Sequence, residues 1–331
     1  MYGHETWRLA RDPFPNADSS LAPMKHPDHL DYYFDFYEWR DQARLKGISA
    51  EGRIEILQLS VNTTTILISG PTGCGRSSLE NLLLYEITEL AQSAPLILSL
   101  KLRVGQRDTT SRGLALANNT YAEVRRGSPE KGQVLLATIE GWKALILPGT
   151  QPDIANLFEQ LRRDINDELP GALVIVSLEA LDHTISYEAA LDTADMVQGF
   201  ADIVILSVTV SDTARYIRTS FTTRQRAVAW VNAPRVAPRD LKRYVEKRFG
   251  AERSGGDPRP GPLHPLTEEA IETVFASADA TNVIDLPIRI AIQKLADVLR
   301  GKLRQQVGEG SVGELAINEQ DVRRTLGETR S

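Results

Sequence analysis

One stretch of eight residues constrains this chain more than any other: Gly70, Pro71, Thr72, Gly73, Cys74, Gly75, Arg76 and Ser77. It satisfies the pattern G-x-x-x-x-G-K-[ST] at every defining position except the lysine, where Arg76 stands. Thr-Thr-Ile-Leu-Ile-Ser at 64–69 precedes it, a β-branched apolar run that predicts a buried parallel strand. Leu79, Leu82, Leu83, Ile87 and Leu90 follow on one side of a helical pattern over 77–92. A strand that enters a glycine turn and leaves as a helix gives the pattern its physical meaning. Glycines let backbone N–H groups curl around phosphate oxygens, and the helix N-terminus adds partial positive charge. Ser77 supplies a hydroxyl for a Mg²⁺ shell, and Ser78 follows it in the candidate binding set. Arg76 keeps the positive charge, but its planar fork is bulkier than an ammonium and cannot sit identically between two phosphates. Cys74, the one cysteine, fills an unspecified position and reads as a small filler.

The rest of the composition narrows the setting. A length of 331 residues is enough for about two domains and a sizeable core. Apolar residues at 42% and charged residues at 25% argue against a disordered or fibrous chain. The net charge of −6 provides no global positive field, so nucleic acid would need a local patch and is not favoured as a partner. Of the histidines only His26 and His29 are close in sequence, with no second pair to complete a metal site. The longest apolar runs, at 172–176 and 203–210, are too short to span a bilayer, so no membrane insertion is expected. No basic region followed by an apolar run opens the chain, and the cytoplasm is the expected location.

Residues 1–50 read as an N-terminal arm followed by a docking helix that carries Tyr32, Tyr33, Phe34, Phe36, Tyr37 and Trp39. Residues 53–61 look like a short lead-in element. Strands are predicted at 95–104, 172–176 and 203–210, and a helix at 152–168. Between them, 105–150 reads as a Gly/Arg/Thr-rich loop followed by strand-like pieces at 133–139 and 143–147 around Trp142. Alternation of strands and helices predicts an α/β fold with a parallel, helix-covered sheet. After Trp230 the pattern becomes helical, at 240–249, 267–278 and 287–303, with a solvated Gly/Pro-rich loop over 250–265. The expected division is therefore 1–50, an α/β domain at 51–232 and a helical domain at 233–331.

A hydrolysing phosphate-loop enzyme also needs carboxylates after a second strand. Ser177-Leu178-Glu179-Ala180-Leu181-Asp182 follows the run at 172–176. The usual Asp-Glu pair puts its aspartate at Leu178 and its glutamate at Glu179, which makes Glu179 the candidate catalytic residue and leaves Asp182 displaced.

With these residues in hand, the chain resembles the AAA+ ATPases, in the branch of initiator, origin-recognition and secretion-type members. Trp7-x-Leu9 with Asp12-Pro13-Phe14-Pro15, the loop at 70–77 and the altered second-strand motif carry the resemblance. So do the run at 203–209, similar to a sensor 1 strand ending in Ser207 or Thr209, and the helix at 236–248, similar to the start of a lid. Leu286-Pro287-Ile288-Arg289 resembles the sensor 2 motif. The resemblance implies an AAA+ P-loop NTPase sheet followed by a small all-helical lid, with ATP or ADP and Mg as cofactors. It implies that Arg289 reaches the nucleotide from the lid. One of Arg215, Arg218, Arg224 and Arg226 would be an arginine finger inserted into a neighbouring subunit, and spacing does not choose among them. Initiator relatives append a winged-helix DNA-binding domain, for which the stretch after Arg289 is too short. The function expected is a nucleotide-binding AAA+ protein with weak or absent ATP hydrolysis. It would be a homo-oligomer that acts as an assembly or regulatory switch with a protein partner. Two alternatives stand beside it: a pseudo-ATPase scaffold that makes no productive use of nucleotide, and a DNA-associated initiator-like ATPase.

Overall fold

The computed structural model describes residues 64–70, 74–91, 94–103, 109–127, 133–146, 153–181, 196–197, 199–208, 214–215, 217–219, 228–232, 237–253, 262–280, 288–309 and 316–327. The expected arm, docking helix and lead-in element lie outside these residues. The described residues fall into two compact units, one drawn from 38–70 and 83–233, the other from 71–82 and 234–331.

Among the described residues the first unit is built on five strands: β1 (Thr64–Ser69), β2 (Ile97–Arg103), β3 (Leu173–Leu181), β4 (Ile203–Val208) and β5 (Val228–Asn232). All pair in parallel, in the order β2-β3-β4-β1-β5. Parallel neighbours cannot be joined by a tight turn, so the chain needs crossovers between them. Helices α1 (Arg76–Leu90), α2 (Thr109–Gly127), α3 (Gln133–Leu145) and α4 (Ile154–Glu168) occupy those crossovers, residues 76–82 of α1 being grouped with the second unit. β4 lies inside the sheet with every residue buried, which explains why its sequence is apolar except for Ser207.

One sheet face carries Leu67, Leu98, Leu100, Leu102, Val174, Val176, Leu178, Val204 and Leu206, in one core cluster with residues of α2, α3 and α4. α4 contributes Ile154, Phe158, Leu161 and Ile165, a spacing that places all four on one side of a helix. Phe158 meets Phe200 edge to face at 5.1 Å. Burying such a side chain is worth roughly 1.5–3 kcal/mol. Asp153 starts α4 by accepting the Asn156 N–H at 3.1 Å. Arg162, also on α4, pairs with Asp202 at 2.8 Å and donates to the Ala172 carbonyl. Asp202 in turn accepts the Val174 N–H, so one charged pair fastens the starts of β3 and β4.

The segment 105–150 corrects the sequence reading. It holds two helices, α2 and α3, where a loop and two strand-like pieces were expected. In α3 the buried Leu135 and Ile139 are four residues apart, and Trp142 continues the same side, half-buried. The apolar runs on either side of Trp142 imitate strands because α3 also exposes Val134 and Leu145.

In the second unit, Pro238 opens α5 (Pro238–Glu252), and Asp240 accepts the Ala237 N–H at 2.9 Å. α6 (Glu268–Ala280), α7 (Ile288–Glu309) and α8 (Glu319–Thr325) complete its described helices. Tyr244, Val245, Phe249, Ile271, Val274, Leu295, Val298 and Val322 are buried. Asn318 and Asp321 cap α8 reciprocally, and Asp321 also pairs with Lys302 at 2.8 Å, both side chains nearly buried. Of the Gly/Pro-rich loop expected at 250–265, residues 250–252 belong to α5 and 254–261 lie outside the described residues; Leu263 is buried, and Leu266, just past it, bridges to Ile317.

Candidate phosphate-binding site

β1 delivers the chain to Gly70, whose N–H donates to the Val208 carbonyl of β4 at 3.1 Å. Pro71, Thr72 and Gly73 lie outside the described residues. Gly75 then adopts φ +99°, a left-handed conformation that side chains disfavour. Its carbonyl accepts from the N–H groups of Ser78 and Leu79, both at 3.0 Å, so the first turn of α1 closes directly on this glycine. Arg76, Ser77 and Ser78 are half-buried and occupy that first turn, which contains no acidic residue. The first N–H groups of a helix lack intrahelical acceptors and carry the positive end of its dipole. Such a turn favours negative charge placed against it.

Cys74 is buried at 1% exposure. Burial pushes its thiol up to about 11 from 9.0, outweighing the neighbouring Arg76 charge, which lowers it. A thiol so buried packs against its neighbours and keeps little thiolate character.

β3 runs further than its apolar sequence indicated, to Leu181. Leu178 is wholly buried and pairs with Leu102 on one side and Leu206 on the other. It sits inside the sheet and not at its rim. Past Leu178 the register against β4 shifts, and Leu181 comes opposite Val208. Glu179 takes the register position opposite Arg103 of β2. Asp182, next in the chain, and Thr209 lie outside the described residues, whereas Ser207 lies buried on β4 opposite Ile68 of β1.

Arg289 is the second residue of α7. Arg215 and Arg218 are exposed, and Arg224 and Arg226 lie outside the described residues. Arg218 is not simply outward-facing, since its guanidinium lies over the Trp230 ring at 5.5 Å from the centroid. Trp230 Nε1–H donates to Ser69 Oγ at 2.7 Å, and Ser69 Oγ–H donates to Asn232 Oδ1 at 2.7 Å. None of Ser69, Trp230 and Asn232 was singled out by motif or spacing. Among the described residues no cluster of His, Cys, Asp or Glu could hold a metal ion. No described helix is long and apolar enough to cross a membrane.

No family model matches the sequence, and no curated protein matches it. Solved structures do. The Aeropyrum pernix ORC2 protein in its ADPNP–ADP complexes superimposes with a TM-score of 0.53 at 16% identity, covering 89% of this chain and 68% of that one. Its ADP form gives 0.52 at 14% identity, covering 87% and 67%. The Aeropyrum pernix ORC1 protein in complex with DNA gives 0.51 at 14% identity, covering 95% and 69%. At these identities the likeness concerns the fold. The chain is an α/β protein whose fold is similar to that of the Aeropyrum pernix ORC1 and ORC2 proteins.

Proposed function

We propose that this protein binds ATP or ADP with Mg²⁺ at the loop 70–78 and uses occupancy of that site as a switch, with little or no hydrolysis. The observation that carries the reading is Gly75 at φ +99°, closing an acid-free first helical turn directly after a parallel strand. Similar folds described with ADP and ADPNP support it. Backbone N–H groups of the loop would hold the phosphates, Ser77 would join the Mg²⁺ shell, and Arg289 would reach the nucleotide from the helical domain at 233–331. A bound Mg²⁺ would neutralise phosphate charge.

Weak turnover follows from two side chains. Arg76 replaces the ammonium that ordinarily bridges phosphates. Leu178 places a buried hydrocarbon where the sequence pattern calls for a metal-associated carboxylate. Glu179 would then act without that partner. Self-association and a protein partner belong to the same proposal, because a site formed on one subunit's surface would be completed by a neighbour's arginine, for which Arg215 and Arg218 are exposed among the described residues.

Phosphate release with ATP and Mg²⁺ tests the turnover. The expected rate lies well below the ~1–100 s⁻¹ of kinases. A rate inside that range, abolished in Glu179→Gln, would overturn the weak-hydrolysis reading. The ORC1 neighbour was described in complex with DNA, so duplex DNA is a second ligand to test in the same samples. With a net charge of −6, tight DNA binding is not expected.

A further inference from the structure

Ser69 is fully buried at the end of β1, and its hydroxyl is held from both sides. It accepts from Trp230 Nε1–H and donates to Asn232 Oδ1, each at 2.7 Å. With its donor used and a lone pair engaged, the hydroxyl has one orientation. The far side of Trp230 is engaged as well, by the Arg218 guanidinium at 5.5 Å. Holding β5 to β1 does not require these contacts, because Leu67 and Trp230, and Ser69 and Asn232, are already main-chain register partners. The side chains add a connection that the ladder lacks. They join the residue before Gly70 to the segment 214–219, which carries the exposed Arg215 and Arg218.

We propose that Ser69 and Trp230 are positioning residues that transmit occupancy of the phosphate loop to the arginine-bearing segment 214–219. The inference rests on the nucleotide-binding reading above. Phosphate bound by loop N–H groups pulls on the backbone at Gly70 and therefore on Ser69. Two short hydrogen bonds to one hydroxyl leave little slack, so the indole follows, and the guanidinium resting on its face follows the indole. Nucleotide at one end of the path thus sets the placement of the arginines at the other.

Amide hydrogen exchange of the full chain, with and without ADP and Mg²⁺, tests this. In the wild type, exchange slows several-fold in peptides covering the loop and in peptides covering 214–219. In Trp230→Phe, which loses the indole N–H, and in Ser69→Ala, slowing is retained at the loop and lost at 214–219. Ser69→Thr, which keeps a hydroxyl, restores it. Arg218→Ala removes an exposed side chain and so preserves the fold; it uncouples 214–219 in the same way and decides the matter if the buried variants do not fold. Slowing at 214–219 that persists in these variants, or its absence from the wild type while the loop is protected, overturns the relay. Absence of protection at the loop itself overturns the nucleotide reading, and the relay with it.

Discussion

Gly75 and Cys74 show how much of the proposed binding loop is decided by single residues. Gly75 has φ +99°, yet a Cβ added there would meet nothing within 4 Å. The cost of Gly75→Ala is therefore conformational and not steric, about 1–2 kcal/mol. Urea melts should show a loss of that size. Cys74 makes a prediction in pH. Its thiol is held up to about 11 in the fold against 9.0 as a free group. Between those values the unfolded chain has released a proton that the folded chain keeps, so stability falls as pH rises through that window. The loss attributable to Cys74 is at most roughly 2–3 kcal/mol. Denaturant midpoints from pH 8.5 upward should decline less steeply in Cys74→Ala than in the wild type. Ser69, Trp230 and Asn232 were not legible in the sequence for a plain reason. Their hydrogen bonds join residues 161 and 163 positions apart, and no local pattern announces such partners.

At the scale of elements, legibility followed burial. β1 and β4, strands inside the sheet whose described side chains are buried, lie at nearly the bounds expected from their β-branched and apolar residues. α4, α5, α6 and α7 repeat apolar residues every three or four positions and were equally readable. β5 was missed because its five residues, Val-Ala-Trp-Val-Asn, coincide with the change of composition taken as a boundary. α3 was misread because apolar residues on its exposed side joined those on its buried side into strand-like runs. This correction has its own test. Gly141 lies mid-helix in α3, exposed, with open space around its missing Cβ. Gly141→Ala should raise stability by ~0.5–1 kcal/mol, since alanine is the better helix former; a decrease would speak against a helix there. Leu178 provides the opposite case. Placing aspartate there to complete the sequence motif would bury a carboxylate between β2 and β4. We expect Leu178→Asp to cost more than ~3 kcal/mol in a thermal melt and to gain no activity.

At the scale of the whole molecule the proposed self-association can be tested. The parallel, helix-covered sheet and the likeness to the ORC folds were legible in outline, because the strand before the glycine pattern and the helix after it are contiguous in sequence, whereas the strand order was not. Side-chain placement in an assembled site was not, since it depends on neighbours that no single-chain pattern encodes. Arg215, exposed beyond β4, should matter between subunits and not within one. Arg215→Ala is expected to weaken nucleotide-promoted self-association by light scattering while leaving affinity per monomer nearly unchanged. Arg289→Ala should instead weaken nucleotide binding itself by something like 1.5–3 kcal/mol, the range for a charged hydrogen bond. Everything else rests on the loop being a nucleotide site, and calorimetry with ADP and Mg²⁺ examines that most directly. The account predicts saturable heat for the wild type and none for Gly75→Val, whose side chain resists the φ of +99° on which the loop depends. Absence of binding by the folded wild type at millimolar nucleotide, or equal binding by wild type and Gly75→Val, would contradict it.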